Sequence, residues 1–105
     1  MTNEGISQLR TGLKKMVIRE CNVKNVEPTQ IGDSAPIIGG AGPLVLDSLD
    51  AVEIVAALER NFGLKVEDAG AARSIIKNFE AMSDYVVRNA PSERVELFLE
   101  FLVTF

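Results

Sequence analysis

The segment "LVLDSLDAVEIVAALERNFGLKV", residues 44–66, carries the clearest structural signal in the chain. After Asp47, apolar residues return every three or four positions, which is the spacing of one face of an α-helix. Aspartate accepts hydrogen bonds from the free amides at a helix start, and glycine commonly ends a helix. We therefore predict a helix that is capped by Asp47, runs through Phe62 and is closed by Gly63. The predicted inward stripe is Ala51, Val55, Leu58 and Phe62.

Before this helix the sequence predicts another helix and a long loop. Residues 3–21 place apolar side chains on one helical face: Ile6, Leu9, Leu13, Met16 and Val17. Residues 22–46 lose this period and are interrupted by several glycines and prolines, which is typical of a loop. A loop of this length in a small domain is usually functional or disordered. We expect four side chains to pin it to the core: Val26, Ile31, Ile37 and Ile38.

After the central helix the sequence predicts three shorter helical segments. Residues 66–76 read as an irregular helical stretch interrupted by Gly70. Asn78 is placed to cap a helix over residues 79–88. Its predicted buried side chains are Phe79, Met82, Tyr85 and Val86. Pro91 and Ser92 then start a last helix.

Composition limits the class of protein. The 105 residues are 47% hydrophobic and 25% charged, as in an ordinary soluble domain. The net charge of −4 argues against a nucleic-acid binder, which needs a basic surface for phosphates. A single cysteine excludes an internal disulfide. No apolar run approaches the ~20 residues that span a bilayer, and no leader pattern is present, so we expect a cytoplasmic protein.

Several chemistries are excluded by residue type. The chain has no histidine, so Ser–His–Asp and Cys–His arrangements and histidine-based metal sites cannot form. The loop "GGAGP", residues 39–43, lacks the lysine and hydroxyl residue of a P-loop. The spacing of Asp33, Asp47 and Asp50 is not that of a calcium-binding EF-hand. We predict neither a catalytic residue nor a metal site.

Ser48 has two interpretations. An acid followed by serine at a helix start is commonly only a cap. A helix start also favours a phosphate ester, because free amides and the helix dipole attract negative charge. The helix that follows has a second apolar stripe flanked by acids, which is typical of a docking face for basic partners. The stripe is Leu49, Val52 and Ala56, and the acids are Asp50, Glu53 and Glu59.

Three segments carry a resemblance to a known family. "LDSLDAVEIVAALERNFGLKV" (residues 46–66) resembles the central segment of an acyl carrier protein. "DSAPIIGGAGPLVLDSLD" (residues 33–50) is similar to the loop before it, and "IIKNFEAMSDYVV" (residues 75–87) to the family's last helix. The resemblance spans about residues 6–87. It implies an all-α four-helix bundle with a long loop between the first two helices, and a carrier that is not an enzyme.

The resemblance also implies a cofactor, partners and site residues. Ser48 would receive 4'-phosphopantetheine from coenzyme A through a phosphopantetheinyl transferase, and the arm's thiol would carry acyl groups as thioesters. Asp47 and Leu49 would border the attachment site. Acyl-transferring or acyl-modifying enzymes would contact Leu49, Asp50, Val52, Glu53 and Ala56. The acyl cleft would be lined by Leu58, Phe62, Val66 and Ile76, for which core packing is an equally simple explanation. The pathway would be fatty acid, lipid or polyketide-type synthesis.

Departures from the family pattern indicate a specialised carrier with few partners. Val45 stands where a small residue is usual, Ala56 where a larger apolar one is common, and Arg60 within a usually acidic run. Two alternatives remain. One is a carrier of aminoacyl groups in nonribosomal peptide synthesis, which the acidic second helix disfavours. The other is a helical interaction module without a prosthetic group, in which Asp47 and Ser48 only cap.

The resemblance leaves "SERVELFLEFLVTF", residues 92–105, unexplained. Ser92 can begin a helix whose apolar stripe is Val95, Phe98, Leu99 and Leu102. This helix can pack on its own domain, self-associate or bind a dedicated partner. We predict packing on its own domain, because a tethered helix meets that domain at high effective concentration. The expected organisation is a carrier domain over residues 1–90 with an extra C-terminal helix over residues 91–105, in a monomer.

Overall fold

The computed structural model describes residues 1–40 and 42–102, with Leu102 described through its backbone. Within these ranges the chain forms five α-helices, a short 3-10 turn and no β-strand. The helices are α1 (Asn3–Glu20), α2 (Ser48–Phe62), α3 (Ala69–Ile75), α4 (Phe79–Asn89) and α5 (Ser92–Leu102), and the turn is Pro28–Gln30. This confirms the predicted all-α helical bundle, with a long connection between α1 and α2.

The core forms where α1, α2, α4 and α5 meet. α1 contacts each of the other three, and α3 packs against α4. The largest fully buried side chains come from α1, α2, α4 and the long loop: Phe62, Phe79, Leu9, Leu13, Met16, Ile37, Ile54, Leu58 and Met82. Most are aliphatic, since aromatic residues make up only 6% of the chain. Tyr85, expected in this core, is only half-buried.

The inward stripe of α2 differs from the prediction. Leu58 and Phe62 are fully buried, but Ile54 and Ala57 accompany them in the core. Ala51 and Val55 are half-buried and lie on the side of α2 that faces α3. The reason is that α2 packs tightly against α1 and α5, while an open groove separates it from α3. Spacing alone does not show which neighbour a helix face meets.

The helix ends follow local capping chemistry. Gly63 adopts a left-handed conformation, with φ of 66°, and closes α2 as predicted. Asn78 Oδ1 accepts a hydrogen bond from the Ala81 amide at 2.8 Å and caps α4. The predicted interruption at Gly70 is wrong. Gly70 lies inside α3, because Asp68 caps that helix by accepting a hydrogen bond from the Ala71 amide at 2.8 Å.

The long loop is held to the bundle at several points. Of the four predicted anchors, Ile31 and Ile37 are buried and Val26 and Ile38 are half-buried. Leu44 and Leu46 are further buried anchors outside that predicted set. The Glu80 amide at the start of α4 donates to the Asp33 carbonyl at 3.0 Å. The loop is therefore an ordered part of the domain in its described residues.

Asp33 joins the loop to α1 through two ion pairs. Its carboxylate lies 2.6 Å from Lys14 Nζ and 3.4 Å from an Arg10 guanidinium nitrogen. The Lys14 hydrogen bond and the nearby positive charges hold the pKa of the Asp33 carboxyl below its ordinary value of 3.8, although partial burial opposes them. Arg10 also donates to Ser83 Oγ at 2.9 Å, which links the loop and α1 to α4.

α5 packs one face on the other helices. Val95 and Phe98 are buried, and the Phe98 ring lies 4.5 Å from the Phe62 ring, centroid to centroid. The Arg94 guanidinium donates to the carbonyls of Asn61 at 3.1 Å and Arg60 at 2.7 Å. Because the carbonyl end of a helix carries partial negative charge, this cation stabilises the C-terminus of α2. Leu99 is half-buried, and the predicted stripe position Leu102 lies outside the described side chains.

No helix in the described ranges has the length and apolar character needed to cross a membrane.

Candidate attachment and docking site on α2

The site begins at the first residue of α2. Ser48 is exposed there, and Asp47 before it is extended, with φ of −119°. Asp47 Oδ1 accepts hydrogen bonds from the amides of Leu49 at 3.0 Å and Asp50 at 3.2 Å. Asp50 Oδ2 in turn accepts from the Asp47 amide at 3.0 Å, which completes a capping box. The two carboxylates fix the helix start and hold Ser48 at the surface.

The start of α2 is a region of negative charge. Burial, together with the negative charges of Asp50, Glu53, Glu20 and Asp47, raises the pKa of the Cys21 thiol to about 11. Cys21 Sγ lies 3.9 Å from the Asp50 carbonyl, so the thiol sits directly behind this helix turn. An approaching cationic surface is attracted to this end of the molecule.

Apolar side chains lie in the open beside these acids. Leu49 is 75% exposed, Val52 64% and Val45 88%. Leu49 and Val52 are three residues apart and therefore neighbours on the helix surface. Glu53 is exposed next to them. Isolated exposed apolar residues are normal, but Leu49 and Val52 side by side at an acid-rimmed helix start are typical of an interaction surface.

A groove of about 420 Å³ runs between α2 and α3. It begins at Ala51 and Val52, which lie one helical turn beyond Ser48. Its walls are mainly small or branched apolar side chains: Ala51, Val52, Val55, Ala56, Val66, Ala69, Ala72 and Ile76. Glu59, Asp68 and Arg73 supply its charged lining. A flexible chain attached at Ser48 therefore has an apolar channel within one turn of its origin.

The structure divides the predicted site residues into three places. Asp47, Ser48, Leu49, Asp50, Val52 and Glu53 lie together at the start of α2. Ala56, Val66 and Ile76 line the groove, so Ala56 faces the groove as well as the docking stripe. Leu58 and Phe62 lie elsewhere: both are fully buried in the core and neither lines the groove.

Two features of the site were missed in the sequence. The wall that α3 supplies comes from Ala69 and Ala72, whose spacing of three residues was the available signal. Glu59 was expected on the docking face as a flanking acid, but it is half-buried, and its carboxylate accepts a hydrogen bond from the Val66 amide at 3.1 Å. This bond ties the segment after α2 back onto the helix and shapes the groove.

Comparison with known proteins agrees with this geometry. Residues 12–86 match the family profile described as "Phosphopantetheine attachment site". The class of protein is thus a carrier for a phosphopantetheine group. Curated proteins named "Acyl carrier protein" align over their full length with 83% of this chain. They include those of Rhodopseudomonas palustris (strain TIE-1) and Nitrobacter winogradskyi, each 36% identical, and of Bradyrhizobium sp. (strain ORS 278), 34% identical. The chain belongs to the acyl carrier protein family. No solved structure matches it.

The family carries a covalently attached 4'-phosphopantetheine, and the residues at the start of α2 fit such a group. A phosphoester needs an accessible hydroxyl, and Ser48 is exposed. Its phosphate would lie at the first turn of a helix, where backbone amides and the helix dipole favour negative charge. The apolar groove beside it suits the less polar part of a bound chain.

Proposed function

We propose that this chain holds acyl groups on a 4'-phosphopantetheine arm joined to Ser48 and presents them to enzymes of fatty acid, lipid or polyketide-type synthesis. The observation that supports this most is the placement of one exposed serine at a helix start, beside an acid-rimmed apolar surface and the mouth of an apolar groove. When bound, the arm supplies a thiol that links to the acyl group as a thioester. We propose the cytoplasm as the place of action and a monomer as the working form.

The residues around Ser48 would divide the work. Asp47 and Asp50, through the capping box, would hold the helix start rigid while a transferase reaches Ser48 Oγ. Leu49 and Val52 would supply apolar contact to a partner enzyme, and Glu53 would attract its cationic rim. These roles need no base within the chain, because the transferase would supply the chemistry of attachment.

The groove between α2 and α3 would shelter the acyl group. Val66 and Ile76 line this groove, whereas Leu58 and Phe62 would act from beneath as its packed support. Interiors are tightly packed, so a chain that passed beyond the groove would have to part these core side chains. We therefore place the cargo in the groove.

Intact-mass measurement tests the attachment site. The wild-type chain, incubated with coenzyme A and a phosphopantetheinyl transferase, should gain the mass of one phosphopantetheine, and Ser48→Ala should not. Ser92→Ala is the matched control, because Ser92 is also an exposed serine at the first residue of a helix, and it should be modified like the wild type. Modification of Ser48→Ala, or an unmodified wild type with several transferases, would contradict the proposal.

Intact-mass measurement of the attached arm does not distinguish an acyl carrier from a carrier of aminoacyl groups. A direct comparison does: after attachment, the chain should accept an acyl group from an acyl-transferring enzyme faster than an amino acid from an adenylating enzyme. The acidic surface at the start of α2 and the names of the relatives favour acyl cargo. A reversed preference would make the chain an aminoacyl carrier.

A further inference from the structure

α5 keeps a second face that the bundle does not bury. Val95 and Phe98 point inward, whereas Leu97 on the other side is 48% exposed. A shallow groove of about 700 Å³ runs along this side, between α5 and the first turns of α1. Its lining consists of three glutamates, two leucines and one glutamine: Glu93, Glu96, Glu100, Leu97, Leu99 and Gln8. We call it the α5 outer groove.

The charged side chains that line the α5 outer groove are all acidic. The adjoining cavity on the other side of Leu97 is lined by Arg19, Arg60 and Arg94. Arg94 is the cationic residue on α5, and its guanidinium is turned toward α2, where it donates to the Asn61 and Arg60 carbonyls. Glu93, Glu96 and Glu100 are exposed. The groove therefore combines exposed leucine with acidic side chains, which is the same chemistry as the start of α2, where Leu49 and Val52 lie beside Asp50 and Glu53.

We propose that the α5 outer groove is a second docking surface, for a partner protein that presents cationic side chains beside an apolar one. Complementary charge at the rim of an apolar contact selects such a partner and speeds its approach. A second copy of this chain is a poor occupant, because a twofold contact through the same groove would bring the glutamates of two copies together. An anionic lipid surface is repelled for the same reason.

The position of the α5 outer groove separates it from the arm. Its lining residues all belong to α5 and α1, and none belongs to α2 or α3. On its inward side, α5 contacts the end of α2 through Arg94 and Asn61, about 20 Å along α2 from Ser48 at ~1.5 Å per residue. A partner held there would leave Ser48, Leu49 and Val52 accessible. The carrier would then have one surface for the enzyme that works on the arm and another that anchors it to a dedicated partner. The unmodified protein tests this surface, so its failure is distinguishable from a failure of attachment at Ser48.

The test uses a synthetic helical peptide with two leucines four residues apart, flanked by lysines, and a scrambled peptide of equal composition. Amide chemical shifts of the isotope-labelled chain should move at residues 93–101 and at the start of α2 with the first peptide, and much less with the scrambled one. The double variant Glu96→Lys, Glu100→Lys should bind about tenfold more weakly at α5 and normally at α2. Glu93 is left in place because it stabilises the helix start.

Matched variants keep the result interpretable. Glu67→Lys changes an exposed acid outside both docking surfaces. Leu97→Ser removes an exposed apolar side chain inside the α5 outer groove, and Val87→Ser removes one outside it. Of these three variants, only Leu97→Ser should weaken the α5 response, with helix content unchanged by circular dichroism. Absent shifts at α5, equal shifts in the charge-reversed variant, or a dimer that forms through α5 without peptide would each overturn the proposal.

Discussion

Replacing Phe98 by alanine tests whether α5 is a structural part of the bundle. Phe98 is 6% exposed, and its ring lies 4.5 Å from the ring of Phe62, a fully buried residue at the end of α2. The substitution removes a buried aromatic contact between α5 and the core, while the alanine itself favours a helix. Any loss of stability therefore reports the lost packing and not a lost helical preference.

The expected cost is large for a domain of this size. Truncation of a buried phenylalanine to alanine typically costs about 3–5 kcal/mol, through lost burial and the cavity that remains. Small domains have a total free energy of unfolding of about 5–15 kcal/mol, so the variant should lose a substantial part of it. At roughly 4–8 °C per kcal/mol for a domain of this length, the Tm should fall by at least about 12 °C.

Thermal and urea unfolding, followed by circular dichroism, measure this change. The control is Leu97→Ala, one position earlier on α5, where the side chain is 48% exposed and the cost should stay below about 1 kcal/mol. Deletion of residues 91–105 should destabilise at least as much as Phe98→Ala and leave the protein monomeric. If Phe98→Ala unfolds like the wild type, α5 does not pack on the domain through Phe98 and Phe62.

Three further predictions concern the site and the loop. Glu53→Lys should slow transfer of the arm several-fold at low salt and less at high salt, since exposed charges are screened over about 10 Å at 0.1 M ionic strength. Glu67→Lys should not slow transfer. Equal transfer rates in the two variants would place recognition by the transferase elsewhere. Ala72→Leu should fill part of the groove between α2 and α3 and speed hydroxylamine cleavage of a long acyl thioester. Ala71→Leu, on the same helix but outside the groove lining, should not. Equal cleavage rates in the two variants would place the acyl chain outside this groove. Asp33→Asn should be less stable than the wild type at neutral pH, and the difference in stability should shrink below about pH 4. The reason is that the stabilisation from a carboxylate with a lowered pKa is lost as pH falls through its folded pKa. A stability difference that stays constant with pH would mean that the Asp33 charge adds nothing.

Local chemistry explains why the helices were predictable. Asp47, Asn78 and Gly63 act through groups within four residues of themselves, so their capping roles are written in the sequence. The predicted break at Gly70 was wrong because Asp68, two residues earlier, caps α3 and so places Gly70 inside the helix. Most of the fold class and the position of Ser48 at a helix start follow from such short-range rules.

The groove between α2 and α3 forms only when the two helices pack. The sequence shows the residues on each helix, but not that they face each other across a groove. Ala51 and Val55 have the spacing of core residues, and only the distance between α2 and α3 makes them groove residues. Leu58 and Phe62 have the same spacing but face α1 and α5, which close over them. Hydrophobic period fixes which residues share a helix face, and tertiary packing decides whether that face is covered.

The all-α class, the serine at the start of α2 and the acids around it can be read from the sequence, because capping, helical period and charge act over a few residues. Three features depend on tertiary packing: Asp33 joins the loop to α1, Arg94 turns inward to the end of α2, and α5 buries Phe98 while Leu97 and the glutamates stay outside. These contacts join residues that are 19 or more positions apart. Their formation depends on how the helices pack, and no local pattern encodes that arrangement.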